Sequence, residues 1–244
     1  MSPESLTLLT AGIFLIAVLY SSVGHAGASG YIAVMSLLAM SPAVIKPTAL
    51  SLNILVSLIA TWQFFRGGHL SWRLFWPFAL LAVPCAFLGG YIDLPAQVFK
   101  VVLGLVLLYS AVRFFMAPAA DTPVTRPPMT AALACGAVIG LLAGLTGTGG
   151  GIFLTPLLLF MGWAGTKQAA GVSALFILLN STAGLLGAVS STRNLPEFIL
   201  PLLVAAALGG VAGSYFGSRR FAPLAIKRLL AAVLLIAGTK LIFT

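Results

Sequence analysis

The sequence predicts an all-α polytopic membrane protein with two inverted repeats, each a glycine-broken helical hairpin followed by three transmembrane helices. Three observations support this fold class. Hydrophobic residues make up 60% of the 244 residues and charged residues 7%, which is more apolar surface than a soluble domain of this size can bury. Two glycine-rich strings, GHAGASG at 24–30 and GLTGTGGG at 144–151, interrupt apolar stretches at matching places. The basic residues are distributed unequally between the two sides of the membrane that this topology creates.

Apolar runs of roughly the ~20 residues that a spanning helix needs recur along the whole chain. The first repeat covers 1–116, with a broken segment at 6–40 and spans near 47–65, 73–92 and 97–116. A linker at 117–128 follows, in which prolines disfavour helix. The second repeat covers 129–244, with a broken segment at 130–161 and spans near 166–189, 196–217 and 223–243.

The two halves align as an internal duplication with a period of about 120 residues. Gly24 and Gly27 correspond to Gly144 and Gly147. Further along, three pairs of like residues match after small loop insertions: Pro77 with Pro201, Gly89 with Gly213, and Lys100 with Lys227. Paired helix breaks in corresponding positions of two repeats are the usual sequence indication of a transporter's binding site.

Each broken segment is interpreted as a hairpin and not as one crossing. A continuous helix over 6–40 would be about 50 Å long, too long for a hydrocarbon core of about 30 Å. With single crossings the basic residues divide six to seven between the two sides, whereas with hairpins they divide nine to four. The second division fits the positive-inside rule. The sequence therefore predicts inverted repeats, hairpin tips near the bilayer centre and both termini on the non-cytoplasmic side. The nine are Arg66, Arg73, Arg113, Arg126, Lys167, Arg219, Arg220, Lys227 and Arg228; the four are Lys46, Lys100, Arg193 and Lys240.

The breaks themselves predict an anion site. Helix restarts expected at Ile32 and Ile152 would leave unpaired N–H groups, which carry a partial positive charge. Glycines let a ligand approach the backbone, and Ser29, Thr146 and Thr148 add hydroxyl groups. This combination suits a small oxyanion bound without a buried cation. The site residues predicted within the breaks are Gly27, Ser29, Gly30, Thr146, Gly147, Thr148, Gly149, Gly150 and Gly151. Close helix packing is the competing interpretation for any membrane glycine, and it is preferred for Gly104, Gly136, Gly140, Gly184 and Gly187.

Four other polar positions join the predicted site. His25, beside the first break, is ionisable at membrane depth, although a neutral packing histidine is an equal alternative. Asn53, Ser173 and Asn180 lie in the spans after the breaks. Small polar residues there usually bond a neighbouring helix, but a buried amide needs several partners, which favours a role for the two asparagines.

Lys46 and Lys167 begin the spans that follow the two breaks. Each is predicted as an accessory charge that attracts anions towards the site. Snorkelling of the side chain to the lipid headgroups is an equal alternative.

Charge also excludes several function classes. The acids are Glu4, Asp93, Asp121 and Glu197, all near predicted span ends or in loops. No carboxylate relay crosses the membrane, so proton coupling would use His25, the substrate or a peripheral acid. The scarcity of buried acids favours an anionic substrate. The net charge of +9 does not indicate nucleic acid, because the basic residues lie at the ends of apolar runs. We expect no cofactor, no metal site and no enzymatic activity.

At these motifs the chain resembles the TauE/SafE family of membrane permeases, the sulfite exporter group, over essentially its full length. The resemblance rests on GHAGASGYIAV with KPTALS, and on GLTGTGGGIFLTPLLL with KQAAGVSALFILLNS. It implies a multi-pass inner-membrane transporter that exports a small sulfur-containing or organic anion such as sulfite or a sulfonate. The positions that carry the family's motif are Gly147, Thr148, Gly149, Gly150 and Gly151, with Ser173 and Asn180 more weakly.

Two alternatives stay open at this point. A passive anion channel would use the same glycine-lined site but would show flux without alternating access. A more remote alternative is an intramembrane serine protease, because the string from Gly27 to Gly30 matches a short GxSG pattern around Ser29. The sequence leaves the coupling ion and the oligomeric state open.

Overall fold

In a computed structural model the chain is described over residues 3–22, 25–116, 125–192 and 197–219, with four further single positions near the C-terminus. This part of the chain is helical, and it contains no strand. Its helices are α1 (Pro3–Ser22), α2 (Ala28–Leu37), α3 (Pro42–Arg66), α4 (Trp72–Tyr91), α5 (Ala96–Met116), α6 (Met129–Thr146), α7 (Gly151–Phe160), α8 (Thr166–Thr192) and α9 (Ile199–Arg219).

The all-helical membrane fold is confirmed. Over the described ranges, five helices are long and apolar enough to cross a membrane, namely α1, α3, α4, α6 and α8. Each predicted broken segment is two helices, α1 with α2 and α6 with α7. The predicted span at 223–243, apart from the four single positions, and most of the predicted linker, 117–124, lie outside the described residues.

The first broken segment folds back on itself. The Tyr20 hydroxyl on α1 lies 2.8 Å from the Ser29 hydroxyl on α2. Further along the pair, a Cβ atom at Gly12 of α1 would be 3.0 Å from Val34 of α2. Residues later in α2 therefore contact residues earlier in α1, so the two helices are antiparallel and α2 returns alongside α1.

The predicted helix restart at Ile32 is wrong, because α2 already begins at Ala28. The backbone turns at Gly27, whose φ of 107° is in the left-handed region that glycine adopts readily. Gly30 is then inside the helix, where a Cβ would collide with Ile16 of α1. In the second break α7 begins at Gly151, one residue before the predicted Ile152.

Small residues bring neighbouring helices into backbone contact. Gly136, Gly140 and Gly144 are spaced one turn apart on α6, and a Cβ at each would collide with backbone atoms of α4, at Phe78, Ala82 and Ala86. Close approach of this kind is the main means of holding helices together in lipid, where the hydrophobic effect does not drive helix association. The packing role predicted for Gly136 and Gly140 is confirmed, as it is for Gly187, which abuts Phe87 of α4.

Helix contacts repeat between the halves. α1, α2, α3 and α4 of the first half correspond to α6, α7, α8 and α9 of the second. The contact of α1 with α9 corresponds to that of α6 with α4, and the contact of α3 with α9 to that of α8 with α4. The contact of α2 with α3 likewise corresponds to that of α7 with α8. The two halves also meet where α3 packs against its counterpart, α8. Asn53 of α3 contacts Ser181 of α8, and Leu50, earlier on α3, faces Gly184, later on α8. These two helices, one from each half, therefore run antiparallel.

The α4–α6 contact provides a stability test. Gly140→Ala places a methyl group against backbone that cannot move aside, so we expect it to destabilise the protein by about 1–3 kcal/mol. Gly184→Ala is the matched control, since its Cβ would lie 3.5 Å from Leu50 in ordinary contact. The measurement is thermal unfolding of each purified variant in detergent. Equal unfolding temperatures for the two variants would contradict the packing described here.

Candidate functional site

A small, buried polar cavity lies where the two helix breaks meet α3 and α8. Its volume is about 10 Å³, room for about one water molecule. His25, Ser29, Asn53 and Thr148 line it, and each of these side chains is less than 5% exposed. The whole lining is Tyr20, His25, Ala26, Gly27, Ala28, Ser29, Asn53, Thr148, Ile152 and Ile177.

Tyrosines hold the first break in place. The Tyr31 hydroxyl donates to the Ala26 carbonyl at 2.6 Å, and the Tyr31 ring fills the space where a Cβ of Gly27 would stand, 2.8 Å away. The backbone N–H of His25 donates to the Tyr20 carbonyl at 3.0 Å.

Gly27 is the N-cap residue of α2, and no side chain caps this helix end. The first-turn N–H groups of α2 therefore have no side-chain partner at the cap.

The second break is shaped by three glycines with positive φ, Gly147 at 79°, Gly149 at 72° and Gly150 at 83°. A Cβ at Gly149 would lie 2.6 Å from both Asn53 Nδ2 and Ser181 Oγ, so this glycine lets α3 and α8 reach the backbone of the break. Gly150 is the N-cap residue of α7, again without a side-chain cap. In both breaks the N-cap residue of the next helix is therefore a glycine, which has no side chain to bond the first N–H groups.

Hydroxyl groups continue the polar lining on the second break. Thr146 Oγ1 donates to the Leu142 carbonyl at 2.6 Å, and it lies 3.0 Å from Thr148 Oγ1. Thr146 therefore stands behind Thr148, which itself lines the cavity.

Asn53 joins three segments of the chain. From α3 its Nδ2 donates to the Thr148 carbonyl and to the Ser181 hydroxyl of α8, each at 3.3 Å. Because the Thr148 carbonyl is part of a broken helix, this bond satisfies a backbone acceptor that would otherwise be unpaired in the membrane.

Lys46, one of the two predicted accessory charges, is buried. Its Nζ donates to the carbonyls of Gly89 at 3.2 Å, Gly90 at 2.7 Å and Ile92 at 2.9 Å. The ammonium therefore caps the C-terminal end of α4, where a cation is favoured by the helix dipole. The other predicted charge, Lys167, is exposed at the start of α8.

A second, wider cavity of about 260 Å³ lies beside Lys46. Asp93 and Leu145 also line it. Lys46 precedes Asn53 by two helical turns on α3, or about 10 Å along the helix axis. The wider cavity is thus close to the small one but separate from it.

The structure brings together His25, Gly27, Ser29, Asn53 and Thr148 from the predicted site. The other predicted residues lie around this group and pack. A Cβ at Gly150 or Gly151 would meet Phe176 or Ile177 of α8, and one at Gly147 would lie 3.3 Å from Lys46.

Ser173 and Asn180 lie outside the small cavity. Ser173 Oγ accepts from Thr155 Oγ1 at 2.7 Å, which joins α7 to α8. Asn180 Nδ2 donates to the Phe176 carbonyl of its own helix at 2.8 Å.

Three polar side chains at the site are not among the predicted site residues, namely Tyr20, Tyr31 and Ser181. Tyr20 could have been found, since a tyrosine just before a helix break must place its hydroxyl near a polar partner. Ser181 gives no such signal, because only the packing of α3 on α8 makes it a neighbour of Asn53. No group of His, Cys, Asp or Glu side chains in the described part of the chain is placed to hold a metal ion.

Comparison with known proteins gives consistent matches. The family model described as "Sulfite exporter TauE/SafE" matches residues 9–241. Probable membrane transporter protein y4hK of Sinorhizobium fredii is 44% identical over 240 residues, which is 96% of this chain and 97% of that protein. Probable membrane transporter protein MJ0441 of Methanocaldococcus jannaschii is 21% identical over 203 residues, 78% of this chain and 76% of the other. No solved structure is significantly similar to the chain.

The lysine pair provides a test of the α4 cap. Lys46→Met removes three charge-assisted hydrogen bonds and leaves carbonyls buried without a donor, so we expect a loss of about 2–4 kcal/mol in unfolding free energy. Lys167→Met is the matched control and should change stability little, since that side chain is exposed. Thermal unfolding in detergent measures both. A Lys46→Met variant as stable as Lys167→Met would contradict the cap.

Proposed function

Because this chain belongs to the sulfite exporter TauE/SafE family of membrane transporters, we propose that it exports a small sulfur-containing or organic anion, such as sulfite or a sulfonate, across the inner membrane. The observation that carries the proposal is the meeting of two helix breaks at one buried polar cavity. Family membership does not favour the passive channel or the intramembrane protease as alternatives.

An anion suits this cavity because two helices begin there. Ala28, the first residue of α2, and Ile152, in the first turn of α7, both line the cavity. The first N–H groups of a helix have no partner within the helix and carry about half a positive charge. No acidic side chain is among the lining residues. A small anion would therefore be attracted by two helix ends without meeting a competing negative charge.

The proposed transport cycle requires the cavity to open. It has room for about one water molecule, so a larger anion needs a conformation in which its walls separate. The helix contacts form two groups, α1, α2, α3 and α9 in one and α4, α6, α7 and α8 in the other. The cavity lies at the α3–α8 contact between the groups. Rocking of one group against the other would expose the site to each side of the membrane in turn.

The inverted repeat is also part of the proposal. It is supported by the return of α2 alongside α1, by the antiparallel packing of α3 on α8, and by the basic residues, which divide nine to four only with inverted halves. In this topology both termini are on the non-cytoplasmic side.

Transport in vesicles tests the proposed site. Thr148→Val keeps the shape of the side chain but removes the hydroxyl from the cavity wall. We expect transport of the preferred anion below saturation to fall about tenfold or more, the equivalent of one lost hydrogen bond. The measurement is uptake into proteoliposomes, with sulfite, sulfate, thiosulfate, sulfoacetate and short carboxylates as candidate substrates.

Thr182→Val is the control for this substitution. Thr182 is exposed on α8 and bonds only its own helix, at the Leu178 carbonyl, so the variant should transport like the unmodified protein. If Thr148→Val transports as fast as Thr182→Val, the site assignment is wrong. If none of the anions enters the vesicles with unmodified protein, anion transport is wrong.

A fusion experiment tests the topology. We expect alkaline phosphatase joined to the C-terminus to be active and green fluorescent protein joined there to be dark, because the first requires export and the second a cytoplasmic location. A fusion at the α3–α4 turn, near Arg66, should give the opposite result. A fluorescent C-terminal fusion would contradict the inverted arrangement.

A further inference from the structure

The Asn53 amide is fully buried in the cavity wall, and its oxygen, Oδ1, has no hydrogen-bond donor among the described residues. Both hydrogens of its Nδ2 are engaged, one by the Thr148 carbonyl and one by the Ser181 hydroxyl. This fixes the orientation of the amide, because the reversed one would set its oxygen against the Thr148 carbonyl oxygen. Asn53 Oδ1 accepts no hydrogen bond from any residue of the described ranges. A buried amide oxygen normally has a donor, so this one is available to a ligand.

The Thr148 hydroxyl is also an acceptor towards the cavity. A hydroxyl has one hydrogen, and that of Thr146 is directed to the Leu142 carbonyl. In the 3.0 Å contact between the two threonines, Thr148 is therefore the donor. Its own hydrogen is used there, and Thr148 Oγ1 offers the cavity lone pairs only.

The cavity thus combines acceptors with donors and lacks a full charge. Asn53 Oδ1 and Thr148 Oγ1 accept, and the first-turn N–H groups of α2 and α7 donate. A fully deprotonated oxyanion would place its lone pairs against both acceptors. A cation would lie at the positive ends of two helices. A singly protonated oxyanion has one O–H, which the two acceptors can share, and its other oxygens accept from the N–H groups.

We propose that the cavity binds a singly protonated oxyanion, whose O–H donates to the acceptor pair Asn53 Oδ1 and Thr148 Oγ1 while its other oxygens accept from the N–H groups that begin α2 and α7. The inference rests on the anion transport proposed above and narrows its substrate. Hydrogen sulfite is preferred to the sulfite dianion and to simple sulfonates, which have no O–H. Each transported anion then brings its own proton across the membrane, with no carboxylate relay.

Other titratable groups surround the cavity and have to be separated from a proton on the ligand. Tyr20 of α1 and His25 of the first break line it, and Tyr31 of α2 bonds the break at Ala26. Lys46 of α3 is two turns away and engaged by α4 carbonyls. Lys167, at the start of α8, is exposed. His25 is therefore the group whose protonation the experiment has to control for.

Calorimetric binding to the purified full chain tests the proposal, with sulfite and methanesulfonate as probes. The pH series spans the pH at which hydrogen sulfite loses its proton. Above that pH the dissociation constant for total sulfite should rise about tenfold per unit, as the protonated fraction falls. Methanesulfonate has the same charge but no O–H. Its affinity should be independent of pH and about tenfold or more below that of hydrogen sulfite.

Two variants assign the effect to the cavity. Asn53→Leu removes the acceptor, so the preference for hydrogen sulfite over methanesulfonate should fall towards one. If that variant does not fold, Thr148→Val reports the same loss at the second acceptor. In His25→Gln the midpoint of the sulfite pH profile should stay where it is, whatever the affinity, because the titrating proton is on the ligand.

The outcomes separate this inference from the function it rests on. Sulfite affinity that is constant or increases with rising pH, methanesulfonate that binds as tightly as hydrogen sulfite, or a midpoint that moves in His25→Gln would overturn the inference and leave anion transport intact. Failure of sulfite to bind at any pH while another anion binds would also overturn it. Failure of every anion to bind would overturn the proposed function as well.

Discussion

A peptide group that leaves a helix inside a membrane has to find its hydrogen-bond partner within the protein, and the architecture around both breaks depends on this requirement. Side chains from neighbouring segments satisfy the carbonyls: Tyr31 donates to Ala26 at 2.6 Å and Asn53 to Thr148 at 3.3 Å. The N–H groups at the starts of α2 and α7 have no side-chain cap. These two carbonyls are thus paired within the protein, while the N–H groups at the helix starts lack a side-chain partner, and this asymmetry supports the proposal that the cavity binds an anion.

Enclosing the breaks requires helices that approach each other closely. Glycines one turn apart on α6 let α4 come into backbone contact, and Gly209 and Gly213 on α9 do the same for α1 at Phe14 and Val18. The two contacts correspond to each other in the repeat. In each of them a helix of one half packs against a helix of the other half, α4 on α6 and α9 on α1. This exchange of helices between the halves leaves α3 and α8 in the middle of the molecule, where their polar residues meet both breaks.

Composition and glycine placement predict much of this fold, because lipid imposes length and polarity on every helix. Helix boundaries and the existence of both breaks follow from them. The start of α2 does not, since Gly27 and Gly30 look alike in the sequence although one turns the chain and the other packs within a helix. Lys46 could not be interpreted for another reason: its three carbonyl partners lie more than 40 residues away. The neighbours of Asn53 depend equally on contacts between the halves, which local sequence does not encode.

The exchange of helices between the halves has a consequence for biosynthesis. α4 leaves the ribosome before α6 and α8, the two helices that it contacts most extensively. Its glycine-fitted surface therefore has no partner while the first half is inserted into the membrane. Lys46, held by the end of α4, gives the nascent chain an early attachment between α3 and α4 that does not depend on the second half. The first half would thus wait in the bilayer as a partly assembled unit, and the cavity would close only after the second half arrives.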